Sequence, residues 1–478
     1  MCSSSAYIFH TYLYNPLAQS MKTSRVQSLK YLLNLIFLSF LFQLSSTLLA
    51  PLKAAEKMVE LNIWVMSTTV GPQQDMREIL RPYLANNPHL RINITVINWE
   101  NAWDKISAAA DSGNGPDLVE LGSTWVATIS AKDALEPISL KQQQEVGGEH
   151  AFFPALWVTT HQHNQNQIFA IPWYAGARVA YYRTDLFKKA NIKASDAFAN
   201  WSSFKQAMQK INGIEFEGKK VAALGYAGIG DFDILHNLAP WIWNAGGDFL
   251  SPDRRTSSID SPETLQAINY YTSFIDEKLV PLSALKKDSM QIESGFFTNQ
   301  YAVIFSGPWV LKIFNTPKAK GGQMGTPASK NFGVTPYPAG IKGNQTLFSG
   351  SDLALMKSSK NKKEAWDLLK YLVSRDAQVK LSQLSGMLPA RVDAANDPTL
   401  LKDPHYAEFI QQVKLGRNYP VVAAWADLEV VFRNNISKIM TTVNTQDNGK
   451  KTLQSSVEIK KNLELASQKA NFILNKSR

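Results

Sequence analysis

Polar and apolar positions alternate over Met58 to Met66 and again, more strongly, over Leu90 to Trp99, which predicts two strands. Asp75 to Ala85 has helical spacing between them, and a second helix is expected from Asn101 or Asp104 to Ala110. Asp117-Leu118-Val119-Glu120-Leu121 is short and apolar, as a buried parallel strand should be, with Gly122-Ser123-Thr124-Trp125 at its end. Strand, helix, strand, helix, strand predicts an open α/β sheet, whose ligands sit beyond the carboxyl ends of the strands.

Ile171 to Phe187 (IPWYAGARVAYYRTDLF) is expected to organise the rest. Pro172 and Gly176 make a turn, Arg178 to Arg183 has strand composition, and Asp185 is a candidate N-cap for a short helix. A second α/β run follows: a helix over Trp201 to Ile211, strands over Val221 to Tyr226 and Tyr301 to Phe305, and a helix from Ser261-Pro262 to Phe274. His236 to Trp243 reads as helix apart from Pro240, and Gly228 to Asp233 as a polar loop. Lys318 to Lys330 reads as a surface loop. Strands near Asn331 to Pro338 and Leu353 to Met356 precede an amphipathic helix over Lys362 to Leu372. Further helices are expected over Asp376 to Leu384, Tyr406 to Lys414, Asp427 to Thr442 and Leu453 to Ile473.

A chain of 478 residues is too long for one comfortable core, so two domains are expected. The net charge is +10, but Lys22, Arg25, Lys30 and Lys53 all precede residue 56 and no acid does; removing them leaves 46 basic against 40 acidic residues. No basic run interleaves with aromatics, so nucleic acid is not implied. Residues 1–55 read as an export signal with a dispensable extension: basic residues, the apolar stretch Tyr31 to Phe42, then small residues, with cleavage between Ala50 and Ala55. The alternative is a retained N-terminal membrane anchor. Cys2 is the only cysteine, so a chain processed in this way has no disulfide and no cysteine ligand or nucleophile.

The sequence has no GxGxxG, P-loop, HExxH, GxSxG or EF-hand pattern, and no cofactor is expected. His161 and His163 in one loop are a weak metal signal. Carboxylates are plentiful without a spacing that selects a catalytic pair. Tryptophans beside polar residues at element ends stand out instead. Flat rings cover the C–H faces of sugars, and carboxylates, amides and arginine take the hydroxyls.

GNGPDLVELGSTWV at 113–126, IPWYAGARVAYYRTDLFKKANI at 171–192, WNAGGDFL at 243–250 and FSGPW at 305–309 occur in that order. NFGVTPYPAG at 331–340, AWDLLKYL at 365–372 and GMLPAR at 386–391 follow. With these pieces the chain resembles the extracellular solute-binding proteins of family 1, the sugar-binding subunits of ABC importers related to maltose-binding protein. That resemblance implies a periplasmic-binding-protein type II fold, with two α/β lobes around a hinged cleft and a crossing near Phe169 to Trp173. The lobes are expected to be 58–170 plus 331–374 and 171–330 plus 375–478. It further implies an exported, periplasmic, monomeric protein that binds a di- or oligosaccharide, docks transiently on ABC permease subunits and has no enzymatic activity. Glycerol 3-phosphate or a polyamine is the alternative solute, and a carbohydrate-active enzyme the more distant one.

The implied ligand-binding residues are Thr68, Trp99, Glu120, Ser123 and Thr124 from the first lobe, and Trp173, Tyr174, Arg178, Asp231, Gly247 and Trp309 from the second lobe or the crossing. Gly350, Ser351, Met387 and Arg391 are added, with Trp425 closing from the helical region. Trp173, Trp309 and Trp425 are expected to stack on sugar rings, and Glu120, Asp231 and Arg178 to bind hydroxyls. Gly247 is expected to let backbone approach the ligand. For Arg178 the competing expectation is an ion pair at the hinge.

Overall fold

A computed structural model describes residues 58–161, 166–445 and 451–477, together with Leu32 and Ser39. The expected export signal, apart from Leu32 and Ser39, and His163 therefore lie outside the described residues. Among the described residues twelve strands form two mixed sheets. The chain runs through β1 (Val59–Met66), β2 (Leu90–Ile97), β3 (Leu118–Gly122) and β4 (Ile171–Ala177). It continues through β5 (Val179–Arg183), β6 (Ile214–Phe216), β7 (Lys219–Gly225), β8 (Tyr301–Ser306) and β9 (Phe332–Thr335). It returns through β10 (Thr346–Leu355), β11 (Leu388–Pro389) and β12 (Gly416–Arg417). One sheet has the order β11-β4-β10-β3-β1-β2 with β12 beside β10, and the other has the order β6-β7-β8-β5-β9.

The first sheet begins as the sequence predicts. β1 pairs parallel with β2 and β3, and all five residues of β3 are buried, so it takes an unbroken apolar run rather than an alternating one. β10 then inserts antiparallel between β3 and β4, making this an α/β sheet with antiparallel strands along one side. The second lobe builds its core from large rings: Trp241 lies 5.4 Å from Phe305 and 5.7 Å from Tyr337, edge-to-face in both cases.

Sheet membership shifts the expected lobe boundaries at both crossings. Ile171–Ala177 was expected in the second lobe but runs in the first sheet, and the chain changes sheets at Arg178, between β4 and β5. β9 was expected in the first lobe and pairs with β5 of the second sheet; β11, expected in the second lobe, pairs with β4. The physical reason is that β4 and β10 bond along most of their lengths, from Ile171↔Leu353 to Ala177↔Phe348.

Local details also differ. Asp185 does not cap the helix Thr184–Lys189 but lies inside it, where its carboxylate holds the buried Arg183 at 2.9 and 2.7 Å. Asn200, rather than a serine, caps the helix Trp201–Ile211 by accepting from the Ser203 backbone N–H at 3.0 Å. The helix Ile234–Ala245 continues through Pro240. Lys318 to Lys330, expected as plain loop, contains a 3-10 turn over Lys318–Lys320 and a short helix over Pro327–Lys330.

Candidate functional site

A small cavity lies beside the carboxyl end of β3. Ser123, Thr124 and Ala127 follow β3, Thr159 precedes β4 and Ser349 lies on β10; Asn418, Tyr419, Pro420 and Val421 close the space from the segment after β12. Together they surround a space with room for about one water molecule, part of it open to solvent. The lining offers hydroxyls and an amide. Ser123 is fixed by a reciprocal pair of bonds with Gly350: its N–H donates to the Gly350 carbonyl at 2.9 Å, and the Gly350 N–H donates to its Oγ at 3.2 Å. Asn418 Oδ1 is buried without a hydrogen-bond partner.

Aromatic rings frame the cavity. Tyr419 stacks on Trp425 at 4.8 Å, and its hydroxyl meets His236 Nδ1 at 3.0 Å. Burial pushes His236 down to about 4, so its ring is neutral at ordinary pH. Across the interface Phe232, from the loop before the helix Ile234–Ala245, lies 6.4 Å from both Trp99 and Trp125 of the first lobe.

Charged groups are concentrated on the second-lobe side. Arg178, at the crossing, donates to Asp233 at 2.9 Å, and its guanidinium lies 4.7 Å from the centre of the Trp309 ring. The hinge ion pair is thus the arrangement present. Burial works against ionisation of Asp233, but Arg178 holds its carboxyl below the usual range. Asp231 accepts from Ser289 N–H at 3.0 Å and Oγ at 2.9 Å; burial, helped by repulsion from Asp233, raises it to about 7. The Trp309 indole donates to Glu293 at 2.9 Å, and burial raises Glu293 to about 6.

The other predicted residues separate into groups. Tyr174 donates to Glu120, Glu120 accepts from the Met66 N–H at 2.7 Å, and Thr68 Oγ1 lies 3.1 Å from the Tyr174 hydroxyl. Ser351 is buried beside them. This is one closed cluster next to the end of β1, in which burial raises Glu120. Trp173 is buried on β4, 2% exposed, with Tyr174 as a ring neighbour at 5.4 Å, so its faces are not open for stacking here. Met387 is buried, its Cε packed near Gly176. Trp425 is a buried wall behind Tyr419, packed on Phe249 at 5.8 Å, rather than a lid.

Two further residues are fixed by contacts within the protein. A Cβ on Gly247 would lie 2.4 Å from Thr264 Oγ1, so the glycine lets its loop press on the helix Pro262–Asp276. Arg391 has its donors on Val146 O and both oxygens of Asp393, at 2.8 to 2.9 Å, away from the cavity.

Sequence reasoning did not single out Phe232, Asp233, His236, Asn418, Tyr419 or Glu429. Glu429 follows Trp425 by one helical turn on the helix Trp425–Thr445 and is 4% exposed. Burial raises it to about 7 despite the pull of Arg433, Trp425 and Thr124. The i, i+4 spacing from Trp425 was the available signal. Among the described residues no group of three or more potential ligands could hold a metal ion.

Residues 69–379 match the model of the bacterial extracellular solute-binding proteins, about two thirds of the chain. The chain belongs to that family. Among curated relatives, a binding protein of Brucella abortus (strain 2308) is 25% identical over 80% of this chain and 88% of its own length. The diacetylchitobiose-binding protein of Streptomyces coelicolor is 22% identical over 84% of this chain and 88% of its own. Among solved structures, a solute-binding protein of Thermotoga lettingae bound to α-D-tagatose superposes with a TM-score of 0.74 at 21% identity, covering 87% of this chain and 99% of that one. The maltose-bound T. maritima protein gives 0.73 at 21%, covering 85% and 99%. The family's two-lobed type II fold is the architecture described above.

Proposed function

We propose that this solute-binding protein captures a di- or oligosaccharide between its lobes and delivers it unchanged to an ABC importer permease. The observation that carries this reading is the cavity at the carboxyl end of β3, whose wall residue Tyr419 reaches His236 of the second lobe. Hydroxyls of Ser123, Thr124, Thr159 and Ser349 and the Asn418 amide suit a ligand dense in hydroxyls, and Tyr419, backed by Trp425, supplies a flat apolar ring beside them. Relatives named for diacetylchitobiose and maltotriose, and solved neighbours bound to tagatose and maltose, support the same solute class. The protein acts as a monomer outside the cytoplasm, exported by its first 55 residues.

Opening about the crossing at Arg178 admits the ligand, and closure buries it and changes the outer surface that a permease reads. Titration calorimetry with mono-, di- and oligosaccharides tests the proposal, followed by chromatography of the recovered sugar. Saturable one-site binding of a di- or oligosaccharide, recovered intact, is expected. Cleavage of the sugar, or no binding by any saccharide, contradicts it.

A further inference from the structure

The carboxyl-terminal helix Lys451–Lys476 has an inner and an outer face, and both carry apolar side chains. The helix packs on the helices Trp425–Thr445 and Pro262–Asp276, with Ile459, Leu463, Ala466, Ala470 and Leu474 buried. Asn471 Oδ1 accepts from the Ser257 N–H at 2.7 Å, which ties the helix to the second lobe. On the outer face Val457 is 63% exposed, Leu465 38% and Phe472 61%. Their spacings of eight and seven residues are close to whole turns, so at about 3.6 residues per turn they form one stripe opposite the buried face. A helix end resting on a lobe ordinarily shows water a polar face there.

The charge around the stripe is mostly of one sign. The helix carries five lysines and two glutamates. Lys461 and Lys469 are exposed one turn before and one turn after Leu465, and Lys476 places its ammonium over the Phe472 ring at 4.5 Å. Glu464 is paired with Lys460 at 3.8 Å, whereas Lys461, Lys469 and Lys476 have no ion pair among the described residues. A fitting partner is therefore apolar beneath a negatively charged surface. An anionic bilayer has that chemistry: its acyl boundary takes the apolar side chains, and its phosphates take ammoniums that reach out on long stems. A second copy laid on the same stripe would set lysines against lysines. Among the described residues no helix is long and apolar enough to cross a membrane, so this one would lie on the surface.

We propose that the helix Lys451–Lys476 is a peripheral membrane-docking surface, laying Val457, Leu465 and Phe472 on an anionic bilayer with Lys461, Lys469 and Lys476 among the headgroups. No cleft residue takes part, so the inference stands apart from the sugar-binding reading.

The test uses the full chain with Cys2→Ser and Gln468→Cys, labelled at position 468 with a polarity-sensitive fluorophore. Residue 468 is exposed one turn before Phe472, so the signal is local to the stripe rather than to the apolar stretch Tyr31 to Phe42. Vesicles of phosphatidylglycerol and phosphatidylcholine in equal parts should shift the emission to the blue, and pure phosphatidylcholine should not. Raising the salt to about 0.5 M should reverse the shift. Lys461→Glu with Lys469→Glu should weaken partitioning at least about tenfold, and so should Leu465→Ser with Phe472→Ser. All four side chains are exposed, so the unfolding midpoint should hold. No shift with the anionic vesicles overturns the inference, as does an equal shift with neutral ones or partitioning unchanged in both folded variants. A shift that grows with protein concentration without vesicles, alongside dimers in sedimentation equilibrium, assigns the stripe to a second copy and overturns it too. The contrast between anionic and neutral vesicles decides the matter if a variant does not fold.

Discussion

Asp352 illustrates what this interior does to a carboxyl group. It lies on β10, 1% exposed, where Thr159 donates to Oδ2 at 3.2 Å and Oδ1 has no partner. Burial pushes it from an ordinary 3.8 up to about 8. A carboxyl raised on folding stabilises while protonated, and that contribution is lost as pH rises from its unfolded value through its folded one. Asp352→Asn removes the titration, so the variant should gain stability relative to the unmodified protein between about pH 4 and 8, on the order of 1 kcal/mol per pH unit. Urea unfolding at several pH values checks this, and parallel stability profiles would refute it. Residue chemistry of this kind is only partly legible in a sequence. Ser123 and Thr124 stood out because they end a buried strand at a glycine. Glu429 did not, because helical spacing shows which residues share a face but not that the face meets another lobe.

Elements were legible where their own pattern sufficed. β1, β2 and β3 and the helices between them follow from alternation and apolar runs, and the helix Lys362–Leu372 from its buried Ala365, Leu368, Leu369 and Leu372. Sheet membership was not legible, because β4 and β9 are apolar for reasons that do not name the partner strand, and β10 reaches β4 across more than 160 residues. Gly247 shows the same limit: a glycine-rich turn signals close approach but not of what. Since the approach is to the helix Pro262–Asp276, Gly247→Ala should cost about 1–3 kcal/mol of stability by overpacking while leaving saccharide affinity unchanged. Denaturant unfolding alongside calorimetry separates the two effects; lost affinity in a variant of unchanged stability would return Gly247 to the ligand site.

At the scale of the whole molecule, the chain changes sheets at Arg178, the Arg178–Asp233 pair and the Phe232–Trp99 contact sit at the interface, and the helix Trp425–Thr445 bonds to both lobes. Ligand binding between the lobes should therefore stabilise them together. The most direct measurement is thermal unfolding of the protein against neutral saccharides, glycerol phosphates and polyamines, repeated with Thr124→Val. A ligand that binds only the folded state raises the midpoint by mass action. A rise of several degrees is expected with a di- or oligosaccharide at about a hundred times its Kd, and a smaller one in the variant. No response to any saccharide, with a clear rise from a phosphate or a polyamine, would contradict it.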